Sequence, residues 1–269
     1  MWEICKISVQ KNDQNRYNIF FDKGDGEEYA FSVGEDVLIK YQLKKGTMLD
    51  ELTITEIQYY DEIHKAYHVA IRFLSRRMRT ELEVRKYLQE KNMGDFVIQE
   101  AIIKLYEYKF LNDEEYANAY VRSQINTTDK GPDLIIREMK EKGISNSLIE
   151  NSIQQYLPEM QVEKATKISQ KIFHKNSNDS QRLIKQKLEQ MLQRKGYFSE
   201  TIQIAIEEAL SNTNDTNDFE ALLYQGEKAR RKLSNYTGFE YEQKMKQLLF
   251  RKGFSIDSIN RFLNEDREK

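Results

Sequence analysis

Two histidines, His64 and His68, stand four residues apart in a stretch of helical character. An i, i+4 pair places both imidazoles on one helix face, and a carboxylate joining them would complete the ligand set of a divalent metal. No HExxH pattern surrounds them and no second ligand cluster has metal-site spacing, so solvent-facing or interfacial histidines are expected and no metal is assigned. His174, beside Lys175 at an expected helix end, is read as incidental. Cys5 lacks a motif pairing it with a base, so a packed strand position is expected rather than a nucleophile. Asp22–Glu28 is acidic and contains glycine, but the EF-hand ligand spacing fails and a hairpin turn is the better reading. Neither GxxxxGK[ST] nor GxGxxG occurs, so the chain is not expected to hydrolyse ATP; no catalytic residue and no cofactor is assigned.

The arginines hold more promise. Arg72, Arg76, Arg77 and Arg79 form the densest arginine cluster of the chain, and Lys167, Lys171, Arg182 and Lys185 form a second basic group. A guanidinium fork suits carboxylates and phosphates better than an ammonium does. These eight are the candidate partner-binding residues, and reversing Arg76 and Arg79 to Glu is expected to weaken binding while leaving the helices intact. Tyr106, Tyr108, Tyr116 and Tyr120 are read as core or inter-repeat residues rather than platforms for stacking bases.

The elements that must carry these side chains show a fourfold pattern. An apolar residue, two spacers, Lys, then Gly or Asn and another apolar residue, with Ile five positions on, occurs at Leu88–Met93 with Ile98 and at Met139–Ile144 with Ile149. It returns at Leu192–Tyr197 with Ile202 and at Leu249–Phe254 with Ile259. The repeat lysines, Lys91, Lys142, Lys195 and Lys252, are 51, 53 and 57 residues apart. Self-similarity at this period marks a tandem array of small structural units.

An apolar residue in a last turn, a Lys facing the negative helix end and Gly at C′ describe a helix stopping, and Asn92 is the usual substitute for that Gly. A new helix follows, with Asp95, Ser145 or Ser147, Ser199 and Ser255 as N-cap candidates and a capping box from Ser147 to Glu150. Positions −7, −3, +2, +7 and +11 relative to the repeat Lys form the expected core stripe. A third helix precedes each pair, over Ala70–Arg77, Glu114–Ile125, Lys164–Phe173 and Glu220–Leu233. Capping boxes are expected at Thr80–Glu83 and Asn112–Glu115, and Pro132 fits a first helical turn. The break before the second helix is expected to be about one residue near Thr80 in the first unit, and longer at Thr127–Pro132, Lys175–Ser180 and Ser234–Gly238.

Residues 1–34 read differently. Ile4–Gln10, Tyr17–Asp22 and Glu28–Val33 are β-branched and aromatic runs with partial alternation, and Gly24-Asp25-Gly26 suits a hairpin. A three-stranded antiparallel sheet is expected, followed by a helix from about Asp50 to Lys65. The fold class is thus mainly α, a tandem array of four three-helix repeats preceded by a small antiparallel β-region. The expected divisions are 1–66 for the β-rich region and connecting helix, then repeats at 67–112, 113–160, 161–212 and 213–269.

Composition agrees. Only two prolines and 32% charged residues fit a helix-rich, hydrophilic chain, and no apolar run approaches the ~18 residues of a membrane span. Met1-Trp2-Glu3 leads straight into a strand rather than a secretory signal, and a single cysteine suits a reducing compartment, so a cytoplasmic location is expected. Ser211–Asp218 is a polar linker expected to give the last repeat some mobility. Net charge is only −2, yet residues 70–91, 161–196 and 227–254 carry +4, +6 and +5, while 92–160 and 197–226 carry −5 and −6. Sorting of this kind fits a curved array that shows a basic and an acidic face to a large partner, against the plainer reading of merely soluble helices.

Ala70–Arg77, Thr80-Glu81-Leu82, Lys91 with Met93, and Phe110-Leu111-Asn112-Asp113-Glu114-Glu115-Tyr116-Ala117 resemble, in order and spacing, the RecX family. The likeness is strongest over residues 70–160, and the four repeats with an N-terminal strand region look like its longer Gram-positive form. The resemblance implies a regulator, not an enzyme, that binds the RecA recombinase and its filament on single-stranded DNA. Such a protein inhibits recombinase and ATPase activity and promotes filament disassembly in DNA repair, recombination and the SOS response. The protein is expected to be monomeric, and because basic helices alternate with acidic ones its affinity for naked DNA is expected to be weak and strongly salt-dependent. The alternative is a stand-alone DNA-binding module of helical repeats, which a pI of about 6.1 argues against.

Overall fold

The structure, a computed structural model, describes residues 1–22, 24, 26–211 and 215–267. The elements run β1 (Trp2–Val9), β2 (Arg16–Asp22), β3 (Glu27–Gly34), α1 (Glu35–Lys40) and β4 (Met48–Leu49), followed by helices α2 to α13. Its contacts gather into two compact units, Met1–Tyr116 with Lys142–Ile144, and Ala117–Glu141 with Ser145–Lys269.

In the first unit the strands form one antiparallel sheet in the order β3-β2-β1-β4. Alternation buries Ile4, Ile19, Phe21, Phe31 and Val33 on one face, and a register shift at Cys5 turns that thiol toward the Phe20 carbonyl, 3.4 Å away. The three expected strands are present; β4 and α1 are additional. β4 is two residues long, too short to alternate, and is placed by distant backbone bonds from Ile4 N–H to Thr47 O (3.0 Å) and Gly46 N–H to Ile4 O (2.8 Å). Gly24 and Gly26 both have positive φ, as a hairpin turn requires; Asp25 lies outside the described residues.

Two helices were expected across residues 50–77, and one is found. α2 (Glu51–Leu74) contains neither Gly nor Pro, starts on the Asp50 carboxylate, which accepts from Thr53 N–H at 2.8 Å, and runs on unbroken. Its first half sends Ile57 into the sheet core, and its second half sends Ile63, Ala66 and Ala70 into the first three-helix core. Helix-forming residues and two successive cores leave no reason to stop at Lys65. The break that follows occupies Ser75–Thr80 rather than one residue. Ser75 hydroxyl bonds back to Arg72 O, and Arg79 folds back onto the Phe73 carbonyl. α3 (Glu81–Glu90) then opens with the expected box between Thr80 and Glu83, and α4 (Asp95–Glu107) completes the repeat.

Sheet and helix are tied by Asp61, which is 2% exposed. Its carboxylate accepts from Arg16 at 2.9 and 3.3 Å and from Gly34 N–H at 2.8 Å, and it pairs with Lys65 at 2.9 Å. Burial pushes this carboxyl up, but bonds from Arg16, Lys65 and Gly34 outweigh it and hold Asp61 below the usual carboxylate range. A depressed folded-state pKa stabilises above the unfolded value and loses that contribution as pH falls through the folded one. Asp61→Asn should therefore cost the first unit about 2–3 kcal/mol near neutral pH. The gap between wild type and variant should narrow when urea unfolding is repeated at about pH 3.

The pattern continues with α5 (Asp113–Thr127), whose first turn belongs to the first unit, and in the second unit with α6 (Pro132–Glu141), α7 (Asn146–Ile153), α8 (Pro158–Lys175), α9 (Gln181–Arg194), α10 (Ser199–Leu210), α11 (Asp215–Lys232), α12 (Gly238–Arg251) and α13 (Ile256–Arg267). The core stripe is inside: Val84, Leu88, Ile98 and Ile102 in the first repeat, Ile135, Met139, Ile144 and Ile149 in the second. Leu188, Leu192, Tyr197, Ile202 and Ile206 follow in the third, and Met245, Leu249, Phe254, Ile259 and Leu263 in the fourth. Met93 and Ile153 are only half-buried. Pro132 opens α6, and Asn112 accepts from Glu115 N–H at 2.9 Å. Within Ser211–Asp218, residues 212–214 lie outside the described residues, and α11 already begins at Asp215.

The N-caps follow expectation in part. Ser145, not Ser147, caps α7, and Ser255 accepts from Ser258 N–H at 3.1 Å. Gly94 and Phe198 hold the cap positions of α4 and α10, so Asp95 and Ser199 are already helical. The Asp95 carboxylate still faces a positive helix end from there.

Asn92, Gly143, Gly196 and Gly253 have φ of 58°, 80°, 86° and 89°. Met93 N–H reaches Leu88 O at 3.3 Å and Asn92 N–H reaches Gln89 O at 2.8 Å, a Schellman closure repeated at Gly196–Tyr197 and Gly253–Phe254. The three glycines do a second job. Each lies on the start of the second helix of the preceding repeat: an added Cβ would come 2.7 Å from Leu82 at Gly143, 2.4 Å from Leu134 N at Gly196 and 2.5 Å from Ser180 Oγ at Gly253. Hydrogen bonds seal these contacts, from Gly131 N–H to Lys195 O (2.7 Å), Asp133 N–H to Gly196 O (2.9 Å) and Ser180 Oγ to Lys252 O (2.5 Å). Asp113 and Asp218, from the first helix of the next repeat, accept from the opening N–H groups of α3 and α9, Glu81 and Gln181, at 2.9 and 2.8 Å. Asn92 belongs to the first repeat, which has no earlier three-helix repeat to dock on, and there a side chain is accommodated.

Candidate functional site

The four arginines of the first repeat do not form one surface. Arg72 and Arg76 are exposed at and just beyond the end of α2. Arg77 donates to Glu83 at 3.1 Å and to Met78 O at 3.2 Å, bracing the cap of α3. Glu83 is also near Lys142, at 3.6 Å. Burial alone would raise the Glu83 carboxyl; Arg77, the Thr80 N–H and Lys142 lower it below its ordinary value.

Arg79 lies flat on the Phe73 ring at 3.6 Å and donates to Phe73 O at 3.2 Å. Phe73 stacks on Tyr87 at 3.9 Å with 6° between planes, and the repeat Lys91 sits 5.3 Å over the far ring. Cation, two rings and cation make a layered stack that holds the α2–α3 turn. Reversing Arg79 would break this packing, so the Arg76/Arg79 pair is the wrong choice for separating binding from folding. Arg72 and Arg76, by contrast, are exposed and take no part in this stack.

In the third repeat Lys167 pairs with Glu163 on α8 and lines a groove with Glu208 and Ile204 of α10. Lys171 on α8 and Arg182 and Lys185 on α9 are exposed. Arg182 and Lys185 stand outside that groove's lining, and Lys187 is drawn to Asp179.

The tyrosines divide. Tyr116 is buried, Tyr120 donates to Glu138 at 2.7 Å, and Tyr106 donates to Glu81 at 2.9 Å. Tyr108 is 65% exposed, its ring 6.0 Å from that of Tyr67. In the second unit Tyr156 and Tyr197 meet in the interior, hydroxyls 3.4 Å apart, and burial pushes both phenols up.

The two histidines acquire a neighbour that sequence spacing did not show. Asp36, in the first turn of α1, places Oδ2 3.6 Å from His64 Nδ1 and 3.4 Å from His68 Nε2. His64 Nε2 meets Lys104 Nζ at 3.2 Å. Burial first, then the Lys104 charge, pushes the His64 imidazolium pKa down. The group lines a cleft of about 580 Å³ that also contains Asp13, Glu35, Asp61 and Arg72. No helix among the described residues is long and apolar enough to cross a membrane.

Comparison with known proteins matches every part of this architecture. The Regulatory protein RecX N-terminal domain matches residues 3–50, the first RecX three-helix domain 66–105 and the second 112–153. The third RecX three-helix domain matches twice, at 159–206 and 216–263. Regulatory protein RecX of Bacillus cytotoxicus is 46% identical over 260 residues, 97% of this chain and 96% of its own. That of Bacillus cereus strain AH820 is 45% identical over 266 residues, 99% and 98% of the two chains. Among solved structures, a crystal structure of regulatory protein RecX aligns with a TM-score of 0.67 at 38% identity, covering 77% of this chain and all of that one. RecX from Lactobacillus salivarius aligns at 0.54 and 35%, over 56% and 97%. With its strand region, its three-helix repeats and its near full-length relatives all of one kind, this chain belongs to the RecX family of regulatory proteins.

Proposed function

We propose that the protein binds the RecA recombinase and its filament on single-stranded DNA, inhibits recombination and ATP hydrolysis there, and promotes filament disassembly. The observation that carries this reading is the match along almost the whole chain, repeat by repeat, to proteins named as regulatory. Linked repeats suit a partner that is itself a repeating assembly, because several modest contacts add by avidity. The protein would act in the cytoplasm, as a monomer, in DNA repair and recombination and in the SOS response, without catalysis of its own.

Arg72 and Arg76, with Lys171, Arg182 and Lys185, are the contact residues in this proposal. Arg72→Glu with Arg76→Glu should leave the helical circular dichroism unchanged and raise the concentration needed to inhibit DNA-dependent ATP hydrolysis by RecA about tenfold or more, some 1.4 kcal/mol. A folded double variant that inhibits at wild-type concentrations would move the interface elsewhere. The second reading, a DNA-binding module acting alone, is opposed by the net charge of −2. Labelled single-stranded DNA without RecA should bind weakly and let go steeply with salt, as counterion release requires; tight, salt-insensitive binding would favour the second reading.

A further inference from the structure

We propose that Asp36, His64 and His68 form a binding site for a divalent transition-metal ion of the zinc class, linking α1 at the edge of the sheet region to α2. The inference rests on side chains of the first unit alone and is independent of the RecA reading.

The donor set comes first. One carboxylate oxygen and two imidazole nitrogens, one from each of three side chains, lie within 4.8 Å of one another. Imidazole with carboxylate is the ligand combination of zinc and its neighbours, not of calcium or magnesium. Bonds of 2.0–2.1 Å in a tetrahedral arrangement put two ligand atoms about 3.3–3.5 Å apart. The Asp36 oxygen stands 3.4 Å from His68 Nε2 and 3.6 Å from His64 Nδ1, close to that spacing, and the two imidazole nitrogens, within 4.8 Å of each other, would close on the ion. The fourth position opens on the cleft, where water would complete the coordination.

Polar satisfaction points the same way. His64 Nδ1 is buried and faces only the Asp36 oxygen, at 3.6 Å beyond the length of an ordinary hydrogen bond. Buried polar atoms rarely go unpaired, and one aimed at a carboxylate and a second imidazole is explained by an ion between them. Lys104 opposes an ion, by its charge and because its ammonium occupies His64 Nε2, which must carry the proton when Nδ1 ligates. Lys104 also lies 4.5 Å from the centre of the Tyr60 ring, which Lys40 already approaches at 3.3 Å, so seating an ion requires Lys104 to leave Nε2. Asp13, Glu35 and Asp61 in the same cleft offset Arg16, Lys65 and Arg72.

Full-length protein treated with a chelator and then titrated calorimetrically with zinc chloride near neutral pH should take up one equivalent, with a rise in melting temperature. His68→Ala and Asp36→Asn should each weaken that uptake by at least about tenfold. Both side chains are more than half exposed, so the variants should keep wild-type circular dichroism, and His64→Gln provides a third. His174→Ala and Cys5→Ser should bind as wild type. No uptake by the wild-type chain, uptake unchanged in both His68→Ala and Asp36→Asn, or loss in Cys5→Ser or His174→Ala would overturn the proposal.

Discussion

Ile149→Asp should unfold the second repeat. The side chain is 3% exposed in α7, where its helix packs on α6 and Ser152 meets the Met139 sulfur at 3.9 Å. An aspartate there is a buried charge without a partner, and the loss of apolar contacts adds to it, for a cost of about 4–5 kcal/mol or more. Circular dichroism should lose helical signal and limited proteolysis should cut between residues 113 and 156. Protection of that stretch in the variant would refute the core stripe as read here.

Gly196→Ala should be almost as damaging, for a reason that composition hides. A non-glycine residue at φ of 86° costs about 1–2 kcal/mol by itself. The new methyl would also come 2.4 Å from Leu134 N and 2.5 Å from Leu134 Cβ, and backbone cannot yield as a flexible side chain can. Together the two terms give about 3–5 kcal/mol, read as a lower urea midpoint. Asn92→Ala carries only the first term, about 1 kcal/mol. Equal losses in the two variants would mean that the close approach contributes nothing.

The period was legible because helix ends speak locally: a Lys, a left-handed C′ residue and a following apolar side chain lie within a few positions of one another. The core stripe was legible for the same reason. What escaped depends on contacts far along the chain. β4 exists because Thr47 and Gly46 meet Ile4, and Asp61 is recognisable only once Arg16 and Gly34 surround it. The division of α2 into two helices failed because the repeat pattern suggested a start at Ala70, while an uninterrupted run of helix formers served two cores at once. For the candidate sites, residue types were visible and their commitments were not. Arg77 and Arg79 looked like Arg72 and Arg76 until Glu83 and Phe73 claimed them. Asp36 gave no signal at all, being separated from His64 by a strand and the first turns of α2.

The glycine docking has a consequence for how such proteins come to differ in length. Each repeat brings its own plug, the C′ loop, and its own socket, the start of its second helix. At Gly131 the socket of the second repeat is filled so tightly that a Cβ would strike Gly196 at 2.4 Å, whereas a Cβ at Gly238, the first residue of α12 in the last repeat, meets nothing within 4 Å. An in-frame duplication therefore installs a fitting pair without redesign of either neighbour, and the third and fourth repeats, which answer to one domain description, have the form such an event would leave. Length in this architecture is inherited in whole steps, and glycine is the toll at every step but the first.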